Sequence, residues 1–155
     1  MVVYEWQKQL QRGEDGEDKL DEFFSRWYNI KSATIEQQQK GIDRIFTRDD
    51  GTRITVEYKT DSKAEKTRRV FIETQKNTRS GAWGWAWTCT ADMLVYWVMP
   101  HYIFMIKPIE IRKRLPQWMG TFPRKVAQNS TYSTEGYVVP LWAFQEACHG
   151  VRVIT

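Results

Sequence analysis

The chain is poor in the residues that most metal, redox and nucleophilic chemistry draws on. It has two cysteines, Cys89 and Cys148, and two histidines, His101 and His149, in 155 residues. Cysteines so far apart form neither a C-x-x-C redox pair nor a zinc-ligand set, and two histidines give little basis for a Ser-His-Asp triad. Long apolar runs are missing too. The most apolar stretches, residues 93–98 and 102–106, fall well short of the ~20 residues a membrane-spanning helix needs. No signal peptide, repeat or low-complexity tract is evident, so no membrane association and a cytoplasmic location are expected.

What is present is charge and aromatic bulk. There are 23 Lys and Arg against 19 Asp and Glu, a formal net charge of +4. A sequence pI near 9.1 suits an anionic partner. Eight tryptophans are many for this length and point to aromatic packing or base stacking. One domain is expected over residues 1–155, with a core of about 13–106 and an accessory segment of about 107–155.

The chemistry-bearing pattern lies in residues 40–60. Asp43 stands in Lys-Gly-Ile-Asp-Arg-Ile-Phe, and Glu57 and Lys59 stand in Ile-Thr-Val-Glu-Tyr-Lys-Thr. Between them, Arg48-Asp49-Asp50-Gly51-Thr52 reads as a hairpin turn. Strand residues two apart share a face at roughly 6.6 Å, so Glu57 and Lys59 point one way and Tyr58 the other. A two-residue loop at Asp50-Gly51 would set Asp43 opposite Tyr58. A three-residue loop, with Gly51 left-handed in a bulge, sets Asp43 opposite Glu57. Only the second assembles a site, and it is the expected one. Opposed residues have Cβ atoms about 5 Å apart, within reach of one shared divalent cation. As structure alone, Glu-x-Lys is an ordinary solvated strand face and Asp-Asp-Gly an ordinary turn.

Gly41-Ile42-Asp43, a hairpin, then Glu57-Tyr58-Lys59 resembles the PD-(D/E)XK nuclease superfamily, which includes restriction endonucleases, archaeal-type Holliday junction resolvases and phage exonucleases. Ile42 replaces the nominal proline. The resemblance implies an α/β (α+β) fold with a restriction-endonuclease-like core. That core is a central mixed β-sheet flanked by helices, in the order α-β-β-β-α-β, here with C-terminal additions. It also implies Mg²⁺, with Mn²⁺ as a substitute, held by Asp43, Glu57 and the Tyr58 backbone carbonyl. Such an ion activates water and offsets charge at phosphorus. Lys59 would orient or deprotonate the attacking water, or neutralise the developing charge.

Upstream, Leu20, Phe23, Phe24 and Trp27 recur at helical spacing after Asp15, Glu17 and Asp18, which predicts an amphipathic helix with acids in its first turn. Gly13 and Glu17 form a Gly-x-x-x-Glu similar to the first-helix signature of several nuclease branches. Glu17 either joins the metal set and the catalytic residues or merely complements the helix dipole.

Residues 69–75 alternate and predict a third core strand carrying Glu73 and Gln75 on one face. Lys63, Arg68, Arg69, Gln75, Lys76 and Arg79 make a strip beside the site suited to a phosphate backbone. Arg112, Lys113 and Arg114, on a short helix expected over residues 108–115, make a second such surface. Trp83, Trp85 and Trp87 either pack on the sheet or stack on splayed bases. Residues 93–98 and 102–106 read as central strands joined by a tight turn. Residues 128–133 form a polar loop and residues 136–139 a strand. Pro140 opens a helix through Cys148 that Gly150 ends.

The expected function is a Mg²⁺-dependent nuclease hydrolysing DNA, a structure-selective endonuclease of junction or flap type, working as a homodimer that addresses two strands. The alternatives are an exonuclease of the same superfamily, a non-cleaving nucleic-acid-binding protein on the nuclease fold, and an unrelated α+β protein whose basic patches meet an acidic partner.

Overall fold

A computed structural model describes residues 15–154, so Gly13 lies outside the described residues. Helix α1 (15–24) buries Leu20, Phe23 and Phe24 on one stripe. The expected fourth member, Trp27, falls in the turn after the helix and is 54% exposed.

The chain then runs through β1 (Asn29–Ser32), α2 (Ile35–Gln39), β2 (Arg44–Thr47) and β3 (Arg53–Asp61). Strands β1, β2 and β3 form an antiparallel meander. Thr34 caps α2 in a full capping box with Gln37, which ends β1 cleanly. Helix α2 separates β1 from β2, so the run is α-β-α-β-β rather than the expected α-β-β-β, and its first strand is Asn29–Ser32, a short stretch with little apolar signal.

Strand β6 (Met93–Val98) joins β3 in parallel, and β7 (Tyr102–Ile106) and β10 (Gly150–Val153) follow antiparallel. The result is a six-stranded mixed sheet ordered β1-β2-β3-β6-β7-β10, with β6 and β7 inside it as expected. Both faces of β6 are covered, which explains its unbroken apolar run. Leu94, Tyr96 and Val98 enter one core, while Val95 and Trp97 enter the other with α1, Phe46, Val56 and Tyr58.

Residues 69–75 depart from expectation. Strand β4 (Arg69–Asn77), which follows the short helix α3 (Ala64–Thr67), is not in the main sheet. It builds a second, four-stranded sheet, ordered β5-β4-β9-β8, with β5 (Ala82–Trp83), β8 (Arg124–Gln128) and β9 (Ser133–Pro140). Val70 and Ile72 pack into the core against the first sheet, so the strand does face the core, but as part of a separate layer. Its alternation is also interrupted, since the register shifts between Glu73 and Gln75. Strand β9 carries Gly136 beneath the Phe71 ring. A Cβ there would meet the Phe71 ring at 2.6 Å and the Ile72 carbonyl oxygen at 2.5 Å.

Helix α4 (Trp85–Thr88) is a single turn. Helix α5 (Pro108–Thr121) opens on proline as expected but continues past residue 115, through Pro116. An interior proline costs about 3 kcal/mol. Continuation brings Trp118 to 4% exposure beside Ile111 and Leu115 in the core, and burial of that indole offsets the broken bond. Helix α6 (Leu141–Ala147) starts after Pro140 and stops before Cys148, and Gly150 opens β10 instead of ending the helix. The segment after residue 107 is thus woven into both sheets. Among the described residues, no helix is long and apolar enough to cross a membrane.

Candidate active site

The β2–β3 hairpin decides which side chains meet. Its loop has three residues: Arg48 N–H donates to Thr52 O, and Gly51 N–H donates to Arg48 O, each at 2.9 Å. Gly51 is left-handed at φ 87°, where a Cβ would be strained. Asp50 steadies the turn by accepting the Thr52 N–H at 2.8 Å. The register runs from Thr47↔Arg53 to Arg44↔Val56 and then stops one residue short of Asp43.

Asp43 leaves the ladder but stays in place. Its N–H donates to Val56 O at 2.8 Å, and its Oδ2 accepts the Tyr58 N–H at 2.8 Å. Its carbonyl accepts the Ala33 N–H at 2.9 Å. The carboxylate is thereby fixed against the β3 backbone beside Glu57.

Glu57 is one of two buried polar residues among those described, at 8% exposure. Lys59 Nζ lies 3.3 Å from Glu57 Oε1, so the two share a face as strand spacing requires. Burial pushes the Glu57 carboxyl up to about 7; Lys59 works against that shift and Asp43 adds to it. Two acids held together with one lysine are short of positive charge, and a divalent cation would relieve that shortage.

Trp85 covers Lys59, with Nζ 5.7 Å from the ring centroid. Its own N–H donates to Glu73 Oε1 at 3.3 Å. Gly84 permits this contact, since a Cβ would come within 2.4 Å of Glu73 O. Trp83 is 62% exposed and meets Trp87 edge-on at 6.4 Å. The three tryptophans therefore divide: Trp85 sits over the site, Trp87 packs against the core, and Trp83 meets Trp87 from the exposed side.

A clasp that sequence spacing does not reveal holds the Asp43 arm. Gly41 is left-handed (φ 77°), and a Cβ there would lie 3.0 Å from the Cys89 Cα. Cys89 Sγ donates to Gly41 O at 3.3 Å, and Thr90 Oγ1 donates to Lys40 O at 2.8 Å. Arg112 Nη1 then donates to Cys89 O at 2.9 Å. Burial raises the Cys89 thiol to about 11, which keeps it a neutral packing group. A second brace joins the strands, where Asp92 Oδ2 accepts both Thr55 N–H and Thr55 Oγ1–H.

Glu17 approaches from α1 but is otherwise engaged. Arg44 Nη2 binds Glu17 Oε2 at 3.2 Å, and Arg44 Nε binds Asp21 Oδ1 at 3.0 Å. Tyr58 Oη donates to Asp21 Oδ1 at 2.8 Å, locking the same network. Burial raises the Glu17 carboxyl, while Arg44 counters the shift and Asp43 reinforces it. Its charge is therefore felt at the Asp43–Glu57 pair. Among the described residues, no three His, Cys, Asp or Glu side chains already stand together as a metal cluster.

The basic residues scatter into three places. Lys63 and Arg69 flank α3, where Arg68 ends the helix left-handed at φ 59°. Gln75, Lys76 and Arg79 lie at the far end of β4 and its following turn, with Gln75 opposite Trp83. On α5, Lys113 and Arg114 pair with Glu110, and Arg112 turns inward to the clasp.

No protein-family model, curated protein or solved structure matches the chain.

Proposed function

We propose that this chain is a metal-dependent nuclease with a restriction-endonuclease-like core, hydrolysing phosphodiester bonds in DNA. One observation carries the reading: the three-residue hairpin holds the Asp43 carboxylate at the Tyr58 N–H, beside buried Glu57 with Lys59 at 3.3 Å. Helix α1 ahead of the β1–β2–β3 meander, which α2 interrupts, and the parallel pairing of β6 with β3 support a core of this kind.

Asp43 and Glu57, with the Tyr58 carbonyl, would hold Mg²⁺ or Mn²⁺ through oxygen, the donor type these ions prefer. Such an ion supplies Lewis acidity and an activated water. Lys59 holds and orients the attacking water, or meets the charge that develops on the phosphate. Trp85 shields its ammonium on one side and so limits where the substrate can approach. Glu17 joins the set only if Arg44 releases it, which makes it an adjustable fourth group.

The small size favours selection by DNA structure, as in a junction or flap endonuclease acting as a dimer, over sequence reading. Lys63, Arg68, Arg69, Lys76, Arg79, Lys113 and Arg114 would supply backbone contacts. A second reading, a non-cleaving DNA-binding protein on the same fold, is favoured by the closed Glu17–Arg44 pair.

The test is incubation with labelled single-stranded, duplex, flap and four-way-junction DNA in Mg²⁺, Mn²⁺ or EDTA, beside Asp43→Ala. Metal-dependent cutting that the variant loses is the expected result. Binding without cutting on every substrate would select the second reading.

A further inference from the structure

Where β3 leaves the site, the chain forms a cleft of about 330 Å³ between the end of the main sheet and the outer face of the second. Three cations line it: Lys63, Arg69 and Lys125, with the Thr67 hydroxyl and the Phe71 ring. The acid in the lining is Asp61, and its carboxylate is already engaged. Its Oδ1 accepts the Lys63 and Ala64 N–H groups, each at 2.9 Å, and its Oδ2 accepts the Tyr96 hydroxyl at 2.7 Å. Among the described residues, none of the three cations has an ion-pair partner, whereas neighbouring Arg124 is paired with Glu135.

The mounts are fixed. Thr67 Oγ1 accepts the Arg69 N–H at 3.3 Å, and Arg68 O accepts the Leu141 N–H at 2.8 Å, so β4 enters the sheet with Arg69 held in place. Lys125 stands opposite Gly136, the residue over which the Phe71 ring lies. A cationic cleft with a half-buried aromatic beside it suits a phosphodiester chain, whose phosphates meet the cations while a sugar or base rests on the ring.

We infer that this cleft is a second docking point for the backbone of one nucleic-acid strand, apart from the acids that would cut it. It rests on the nuclease reading only for direction. Asp61 follows Glu57 by four residues on the same strand, roughly 13 Å, which is about four steps of a B-form strand at 3.4 Å each. A strand gripped here passes over Lys59 to reach Glu57.

The experiment measures binding of the full chain, in EDTA, to fluorescein-labelled single-stranded and duplex 16-mers across a salt series. Polyglutamate serves as the competitor. The variants are Lys63→Gln/Arg69→Gln/Lys125→Gln and, in case Arg69 is needed for folding, Lys63→Gln/Lys125→Gln, each checked by thermal melting. The triple variant is expected to bind at least tenfold more weakly, its log–log salt slope shallower by about two units; the double variant should show part of both effects. An unchanged slope, no binding by the parent, or polyglutamate binding as tightly as the oligonucleotides would overturn the inference; the last would mark an acidic-peptide dock. Asp43→Asn, run alongside, should keep the parent's affinity. Cutting, assayed in parallel in Mg²⁺, that is lost in Asp43→Asn while the cleft's slope in EDTA stays intact separates the two claims, because either can fail while the other stands.

Discussion

The Asp43 carboxylate accepts the Tyr58 N–H at 2.8 Å, crossing from a strand that has already stopped pairing to one that continues. One hydrogen bond therefore both orients a candidate ligand and replaces a missing rung of the sheet. Asp43→Asn can keep that acceptor while removing the charge. It should fold normally and lose at least a hundredfold in cutting rate. Asp43→Ala should in addition lose about 1 kcal/mol of stability, measured by urea unfolding. Equal cutting rates for the Asp43→Asn variant and the parent would remove Asp43 from the site.

Lys59 has Glu57 and the Trp85 face as its neighbours of note. Lys59→Met should abolish cutting while DNA affinity stays within about twofold. The carboxyl of Glu57, deprived of its cation, should rise further above about 7, an effect readable by carboxyl titration with NMR.

Glu57 also sets a pH dependence. Its carboxyl sits at about 7 in the folded chain against the usual 4.5, so the folded state holds this proton more tightly than the unfolded. The stability it contributes is complete below about 4.5 and is lost as pH rises through about 7, by at most about 3 kcal/mol. Melting in EDTA from pH 4.5 to 8 should show that decline, and Glu57→Gln should flatten it. Parallel curves for the two proteins would mean that the carboxyl is ionised throughout.

Arg44 holds two acids from α1 against β2 and is itself only 12% exposed. Arg44→Ala leaves Glu17 and Asp21 facing each other without their shared counter-ion and strips the guanidinium from the Tyr58 ring. About 2 kcal/mol of stability should be lost, less than for a fully buried pair because both acids are about a third exposed. Arg44→Met in a Glu17→Gln/Asp21→Asn background should recover much of it.

On α5 the three consecutive cations divide by partner. Arg112→Gln should lower stability by about 1 kcal/mol through the Cys89 carbonyl, with little change in the salt dependence of DNA binding. Lys113→Ala/Arg114→Ala should weaken binding without touching stability. A fall in melting temperature for the second pair, equal to the first, would make all three structural.

The hairpin was legible because its turn residues and alternation are local, and a glycine at the loop's end leaves few ways to close it. The α1 stripe and the apolar β6–β7 pair were legible for similar reasons, since periodicity reports which face is covered. Asn29–Ser32 was not, because an edge strand mostly exposed on both faces carries no apolar pattern. Residues 69–75 announced a strand but not which sheet it joins, since its partner β9 lies about 65 residues downstream and alternation is blind to partners. The clasp of Gly41 by Cys89 and Thr90 depends on backbone carbonyls, which sequence patterns do not mark. Arg112 looked like one of three surface cations because helical spacing alone does not tell which of three neighbours faces inward.

The count of residues between Arg48 and Thr52 has a consequence for how this protein could change. Side chains alternate with period two, so losing or gaining one loop residue would turn all of β2 over. Phe46 would leave the core in the same step that moved Asp43 away from Glu57. A slip in that loop cannot silence the site and spare the fold. Decay of the proposed activity would instead come by substitution at Asp43, Glu57 or Lys59, and the hairpin length should persist in any descendant that still folds.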